Sequence, residues 1–203
     1  AELQAEKTAI EGKIKALPAT VTVADKDTVV ALKAEIKDFN EYCDLVQAPS
    51  LKVLSGKVTD AYDAVRKAED RAITNAYNEI MKDGKVTVDE AAAVEALRTA
   101  FDAYVKDYTE KDADKLAEPT ITEAKMEKAE DDLSAAKVKQ VEEMIAKLPA
   151  DGSDVAATKA ARAAYDALAL KERVTVKNSM YDKLVDTEKM IGKSVTSLKL
   201  NAS

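Results

Sequence analysis

The segment 83–90 has the composition of a loop that binds calcium through oxygen ligands. Gly84 stands where a twelve-residue calcium loop requires glycine, and Glu90 stands where such a loop has its bidentate carboxylate. In that register the first ligand position is Glu79, but the third is Met81, whose thioether does not coordinate calcium. We therefore interpret the segment as a glycine-capped helix end followed by a new helix with an acidic first turn, and we expect no metal-binding residue.

A serine–lysine pair and a cysteine could act as nucleophiles, but the sequence lacks the partner groups that such catalysis requires. Ser134 and Lys137 have the spacing of a serine nucleophile and its lysine partner in acyl transfer, but the sheet-borne motifs that accompany this pair in enzymes are missing. The single cysteine, Cys43, lies on an apolar stripe beside Glu41 and Asp44, whose charges disfavour a thiolate. Because the chain has no histidine, it also lacks the most common general base. We expect no enzymatic activity, no catalytic residue and no cofactor.

The tyrosines have the amphipathic rings that stack on sugars when they are exposed. Most of them fall on apolar helix stripes, so we predict that they pack in the core with the hydroxyl at its rim. These tyrosines are Tyr62, Tyr77, Tyr104, Tyr108, Tyr165 and Tyr181.

The composition predicts long, highly charged helices. Hydrophobic residues make up 46% of the 203, which is enough for real cores, while five glycines and four prolines leave few turns. The net charge of −7 repels nucleic acid and anionic lipid on average. No apolar run is long enough to span a bilayer, so we expect neither nucleic-acid binding nor membrane insertion.

One apolar stripe with steps of three and four residues recurs three times and predicts three equivalent helices. A basic residue follows the second stripe position each time, at Lys33, Arg98 and Arg162. The stripes are Val29-Leu32-Ile36-Phe39-Cys43-Val46, then Val94-Leu97-Phe101-Tyr104-Tyr108, then Thr158-Ala161-Tyr165-Leu168. We predict that Ile36, Phe101 and Tyr165, the third position of each stripe, are equivalent core residues.

A following helix also repeats, because Val65-Arg66-Lys67-Ala68-Glu69-Asp70 aligns with Met126-Glu127-Lys128-Ala129-Glu130-Asp131, and Leu184 continues the register. The predicted division is three three-helix repeats at 1–70, 71–135 and 136–193. Residues 194–203 are predicted to form a linker or the first strand of a β-module, since Val195-Thr196-Ser197-Leu198-Lys199-Leu200-Asn201 reads as extended chain.

The junctions between repeats predict shared helices. Good helix formers run from about 51 to 82 and from about 120 to 148 without proline, so the last helix of one repeat continues into the first helix of the next. Bundles joined in this way, as in spectrin, predict an all-α elongated rod of roughly 90–100 Å at 1.5 Å per helical residue.

The third repeat carries a recurring pattern, Leu148-Pro149, then Ala160-Ala161-Arg162-Ala163-Ala164-Tyr165-Asp166-Ala167-Leu168, then Tyr181-Asp182-Lys183-Leu184-Val185; the first repeat keeps Leu17-Pro18 and Tyr62-Asp63. This pattern resembles three-helix repeats of extracellular Gram-positive proteins. In those proteins the repeats lie among immunoglobulin-like modules of S-layer proteins, cell-wall-associated adhesins and secreted glycoside hydrolases.

The resemblance implies a non-catalytic spacer of a secreted cell-surface, cell-wall or S-layer protein, cut from a longer chain, with immunoglobulin-like β-modules as neighbours. Two alternatives stay open: an adhesin-type module that binds a host protein or a wall glycan, and an accessory module of a secreted glycoside hydrolase. Exposed apolar patches favour binding, and uniformly charged faces favour the spacer.

Overall fold

The computed structural model describes residues 1–110 and 118–200, with side chains for 1–107 and 118–193. This part of the chain contains helices and no strand, which confirms the predicted all-α class. The α-helices are α1 (Glu2–Ala16), α2 (Lys26–Leu45), α3 (Gly56–Ile80), α4 (Ala91–Glu110), α5 (Glu123–Ala146), α6 (Val155–Ala167), α7 (Leu170–Arg173) and α8 (Asn178–Leu200); short 3₁₀ turns occupy Val23–Asp25, Pro49–Leu51 and Val88–Glu90.

The chain divides into two compact units. The first comprises Ala1–Asn78 and Leu97–Thr122, and the second comprises Glu79–Ala96 and Glu123–Ser203. All three boundaries between these segments fall inside the predicted middle repeat, 71–135. The division into three repeats with the limits given above stays a prediction.

In the first unit, α1, α2 and α3 share one apolar core. The stripe predicted for α2 is buried from Val29 to Cys43, because its steps of three and four residues keep these side chains on one helix face. The core residues are Ile10, Leu17, Val29, Leu32, Ile36, Phe39, Cys43, Val53, Val58, Ala61, Tyr62 and Val65.

The helix predicted from 51 begins instead at Gly56, and the cause is a side-chain clamp. The Asn40 side-chain amide donates to the Val53 carbonyl at 3.0 Å, and its oxygen accepts the Val53 N–H at 2.8 Å. Both backbone groups of Val53 are thereby used outside any helical ladder, so the segment stays extended. Leu54, which fitted the apolar periodicity, is 89% exposed as a result.

In the second unit, α5 packs with α6 and α8. Helix α5 lies within the limits predicted for it, 120–148, and has buried residues along its whole length: Met126, Ala129, Leu133, Val138, Val141 and Ile145. The core shared with α6, the α7 region and α8 consists of Val138, Val141, Ile145, Leu148, Ala161, Leu168, Val176 and Leu184.

The predicted extended segment at the C-terminus is wrong as far as the structure describes it. Helix α8 continues through Leu200, and residues 201–203 lie outside the described residues. The sequence spacing Leu184, Ile191, Val195 and Leu198 continues a helical stripe. This periodicity prevails over the β-propensity of Val195 and Thr196, because strand propensity depends strongly on context. Residues 194–200 are therefore helical. The linker or first strand of a β-module predicted for 194–203 is not formed in this part of the segment.

Burial of the predicted equivalent core residues is confirmed for two of the three. Ile36 and Phe101 are each 2% exposed. Tyr165 is only half-buried at the edge of the second unit's core, where its ring lies 5.2 Å from that of Tyr181. A tyrosine placed at the core edge keeps its hydroxyl near water, which matches its predicted rim position.

We predict that Ile36→Ala and Phe101→Ala lower the free energy of unfolding by roughly 2–5 kcal/mol, because each truncation leaves a cavity in a packed core. Tyr165→Ala should be milder, since part of that ring already contacts solvent. Urea denaturation followed by circular dichroism measures all three. Equal losses for Tyr165→Ala and Phe101→Ala would contradict the difference in packing.

Two glycines with left-handed backbone separate helices in the second unit. Gly84 (φ 72°) follows α3 and has open space where a Cβ would be. Gly152 (φ 70°) precedes α6, and a Cβ there would lie 3.1 Å from the backbone nitrogen of Ile191 and 3.2 Å from the Cβ of Met190. The Gly152 turn therefore packs directly on α8.

We predict that Gly152→Ala destabilises the second unit more than Gly84→Ala. Both substitutions incur about 1–2 kcal/mol for an alanine in left-handed backbone. Only Gly152→Ala adds overpacking against α8, typically about 1–3 kcal/mol. Thermal unfolding of the two variants side by side provides the comparison, and equal shifts in melting temperature would argue against close packing of the turn on α8.

Candidate functional site

The segment 83–90 uses its carboxylates as helix caps. The Gly84 N–H donates to the Met81 carbonyl at 3.0 Å, and the Glu90 carboxylate accepts the Thr87 N–H at 2.8 Å and the Thr87 hydroxyl at 3.1 Å. The predicted glycine cap and acidic first turn are confirmed. Within the described residues, no group of three or more Cys, Asp or Glu side chains is placed to hold a metal ion.

Of the residues considered for nucleophilic chemistry, Lys137 contacts a helix-capping carboxylate and Cys43 lies in the core of the first unit. Ser134 and Lys137 are both on α5, and the Lys137 Nζ lies 3.8 Å from Oε1 of Glu172. Glu172 is buried and accepts the Ala169 N–H at 2.7 Å, which caps α7. Cys43 is fully buried in the core of the first unit, as predicted for a small hydrophobe.

The basic residue that recurs in the three stripes lies over an aromatic ring each time. The Lys33 Nζ is 4.0 Å from the centroid of Tyr62, which belongs to α3. The guanidinium of Arg98 is 5.6 Å from the Phe101 centroid, and that of Arg162 is 5.5 Å from the Tyr165 centroid. Cation–π contacts of this kind contribute about 0.5–1 kcal/mol at exposed sites. The basic positions can be identified in the sequence. The contact of Lys33 with Tyr62 cannot, because that ring belongs to another helix and approaches only in the folded chain.

A buried network of charges in the first unit joins α2, α3 and α4. Arg66 is 3% exposed; its guanidinium lies 4.3 Å from the Tyr104 centroid and donates to the Tyr104 carbonyl at 3.1 Å. The same guanidinium donates to the carboxylates of Glu69 and Asp107. The Lys26 ammonium lies 2.7 Å from Glu69 Oε1 and 2.8 Å from Asp107 Oδ2, so two cations alternate with two carboxylates.

The opposite charges of this network attract one another and stabilise the packing of α2, α3 and α4. Partial burial acts to lower the pKa of Lys26, but its hydrogen bonds to Asp107 and Glu69 outweigh burial, and the pKa lies above its ordinary value. Arg66 Nε is buried and has no hydrogen-bond partner among the described atoms. In the sequence, Arg66 is only one residue of the repeated segment 65–70. The available signal was its position four residues after Tyr62, on the buried face of α3.

A second charged and aromatic cluster lies on α6 and α8. Arg162 binds the Glu188 carboxylate through two parallel hydrogen bonds, of 2.7 Å from Nε and 2.6 Å from Nη2. These hydrogen bonds raise the pKa of Arg162. Its guanidinium also lies 5.7 Å from the ring of Tyr181, which is partly exposed beside Tyr165. The guanidinium edge formed by Nε and Nη2 is thus occupied by Glu188.

The surface of each unit carries open grooves along its helices. One of about 530 Å³ lies between the segment 84–88 and the α5 residues Lys128, Asp132 and Lys139. Another of about 480 Å³ lies between α6 and α8 beside Arg162 and Glu188. Charged side chains of both signs line them, which is the pattern of solvated helix faces.

The tyrosines divide between core and surface. Tyr62 and Tyr104 are buried as predicted, and Tyr77 and Tyr165 are half-buried. The predicted core position is wrong for Tyr181, which is 40% exposed. The side chain of Tyr108 lies outside the described residues.

Comparison with family models, with curated proteins and with solved structures gave no match. In the described part of the chain, none of the helices combines the length and the apolar content that crossing a bilayer requires.

We predict that Arg66→Met lowers the free energy of unfolding by roughly 3 kcal/mol, near the lower end for breaking a buried ion pair, because Lys26 still balances the two carboxylates. Lys37→Met is the matched control in the same unit, since the Lys37–Glu41 pair is exposed at 3.8 Å and contributes at most about 0.5 kcal/mol. Chemical denaturation measures both. Similar midpoints for the two variants would mean that the Arg66 network does not stabilise the unit.

Proposed function

We propose that this chain is a non-catalytic spacer region of a secreted bacterial cell-surface protein, built from three-helix repeats that share helices. The observation that carries the proposal is helix α5. Its buried residues Met126, Ala129 and Leu133 belong to the predicted middle repeat, and Val138, Val141 and Ile145 belong to the third. In the proposed division, one uninterrupted helix supplies core residues to two successive repeats.

A shared helix suits a spacer for a physical reason. Bending an α-helix sharply requires a proline, a π-bulge or an inserted group in its hydrogen-bond ladder. Helix α5 has neither proline nor glycine between Glu123 and Ala146. Two repeats joined through such a helix keep a fixed orientation, whereas repeats joined by a loop would swivel. The proposal places the chain outside the cell, at the surface or the wall, with immunoglobulin-like modules as its neighbours.

The main alternative, an adhesin-type binding module for a host protein or wall glycan, is favoured by one feature of the α7 region. Leu170 and Val174 are 77% and 75% exposed, and the Val174 N–H donates to the Leu170 carbonyl, which places the two side chains on one helix face. Exposed neighbouring apolar side chains are typical of contact surfaces. Two residues make a small patch, so the shared helix carries the preferred proposal.

We expect small-angle scattering on the monomer to give a radius of gyration near 30 Å, the value for a rod of the length predicted above. A compact chain of this length would give about 17 Å. Ala135→Pro, between Leu133 and Val138, should shorten the longest dimension, because proline interrupts the ladder of α5. Val155→Pro is the control, since proline is tolerated at the first position of a helix such as α6.

A radius of gyration below about 20 Å for the unchanged chain would remove the physical basis of the spacer. The binding module would then be preferred, and Leu170→Ser with Val174→Ser would test its contact face by loss of binding to cell-wall polymer.

A further inference from the structure

The chain contains two Asp-Gly sequences, and the structure places them in opposite environments. Asp83–Gly84 follows α3, and Asp151–Gly152 precedes α6. In both, the aspartate is exposed and its Oδ1 accepts the N–H two residues later, from Lys85 at 3.2 Å and from Ser153 at 3.0 Å. The local geometry is thus matched between the two sites, including a left-handed glycine in each.

The difference lies in what surrounds the glycine. Gly84 is exposed, with nothing within 4 Å of a Cβ position, so no packed helix crowds the turn around it. Gly152 is buried, and its Cβ position lies 3.1 Å from both the backbone nitrogen and the Cγ1 of Ile191. Packing on α8 therefore crowds the turn at Asp151–Gly152 and hinders rotation of the peptide between them.

We propose that Asp83 is a site of spontaneous isomerisation to isoaspartate and that packing on α8 protects Asp151 from the same reaction. The peptide nitrogen of Gly84 loses its proton and attacks Cγ of the protonated Asp83 carboxyl group. A Cγ–N bond forms, the bond from Cγ to the hydroxyl oxygen breaks, and one water leaves. The product is a five-membered succinimide.

Hydrolysis of the ring returns that water and involves no oxidation or reduction. Cleavage of the Cγ–N bond restores aspartate. Cleavage of the bond between the main-chain carbonyl carbon and the nitrogen leaves isoaspartate, in which the main chain runs through the side-chain methylene. Glycine favours ring closure because it has no Cβ to obstruct the approach of its nitrogen.

The same reaction at Asp151 meets a second obstacle besides packing. Hydrogen bonds from Ser153, first from its side chain and then from its backbone N–H, lower the pKa of the Asp151 carboxyl group. Less of the protonated form, which releases water, is then present at a given pH. Close packing on α8 and the lowered pKa of the carboxyl group therefore both slow succinimide formation at Asp151.

Isomerisation at position 83 changes the junction between α3 and the turn Val88–Glu90. The extra methylene in the main chain displaces Gly84 from Met81, whose carbonyl accepts the Gly84 N–H at 3.0 Å. The Asp83 carboxylate that accepts from Lys85 also becomes part of the main chain. The helix end would lose both hydrogen bonds that close this junction.

The test is incubation of the purified full chain at mildly acidic pH and physiological temperature. Isoaspartate is then quantified by methylation with an isoaspartyl O-methyltransferase and by peptide mapping. We expect isoaspartate at position 83 to accumulate about tenfold faster than at 151, the ratio that a barrier difference of about 1.4 kcal/mol produces. Asp83→Glu should abolish most of the methylation, and Asp151→Glu should leave it unchanged.

Incubation in concentrated urea is the control for sequence effects. There the two rates should approach each other, because the packing on α8 is lost. Equal rates in the folded chain would overturn the proposal. So would a tenfold ratio that persists in urea, since the flanking sequence rather than the fold would then set the rates.

Discussion

The long helices in the described part of the chain depend on burying one narrow apolar stripe. The helices of 20 to 25 residues are rich in charge and have only a third or so of their circumference apolar, so an isolated copy would be marginal in water. Burial of Val29, Ile36 and Phe39 in α2, or of Met126 and Ile145 in α5, supplies the stabilisation that helix propensity does not. The remaining circumference faces solvent, and this explains why both charge signs and open grooves occur along the helices.

The same constraint determines what the polar residues do. Each helix end leaves four N–H or carbonyl groups without helical partners, and a chain with several helices must satisfy many of them. Asp25 accepts from Thr22, Glu90 from Thr87, Asp154 from Ala157 and Glu172 from Ala169. These four carboxylates at the junctions, including the candidate calcium ligand Glu90, therefore act as caps. Lys137, the partner considered for Ser134, lies beside one of these capping carboxylates.

Periodicity in the sequence predicted helix faces and helix ends that depend on neighbouring residues. Contacts between residues far apart in the sequence could be identified only from the fold. The stripes through Ile36 and Phe101, the glycine cap at Gly84 and the extent of α5 follow from spacing within one segment. The clamp of Asn40 on Val53 joins residues 13 positions apart and ends a pattern that read as helix. The contacts of Arg66 with Asp107 and Tyr104 cross 38 to 41 positions, so no local pattern contains them. At the C-terminus two local signals conflicted, and helical spacing prevailed over strand propensity.

The arginines of the two charged clusters are paired within the protein, which gives them a stabilising role. Arg66 has its carboxylate partners, a backbone acceptor and an aromatic face within the protein, and Arg162 is held by both oxygens of Glu188. A guanidinium occupied in this way would have to give up charge-assisted hydrogen bonds before it could bind an anionic ligand, and such bonds are about twice as strong as neutral ones. The two arginine clusters therefore hold helices together.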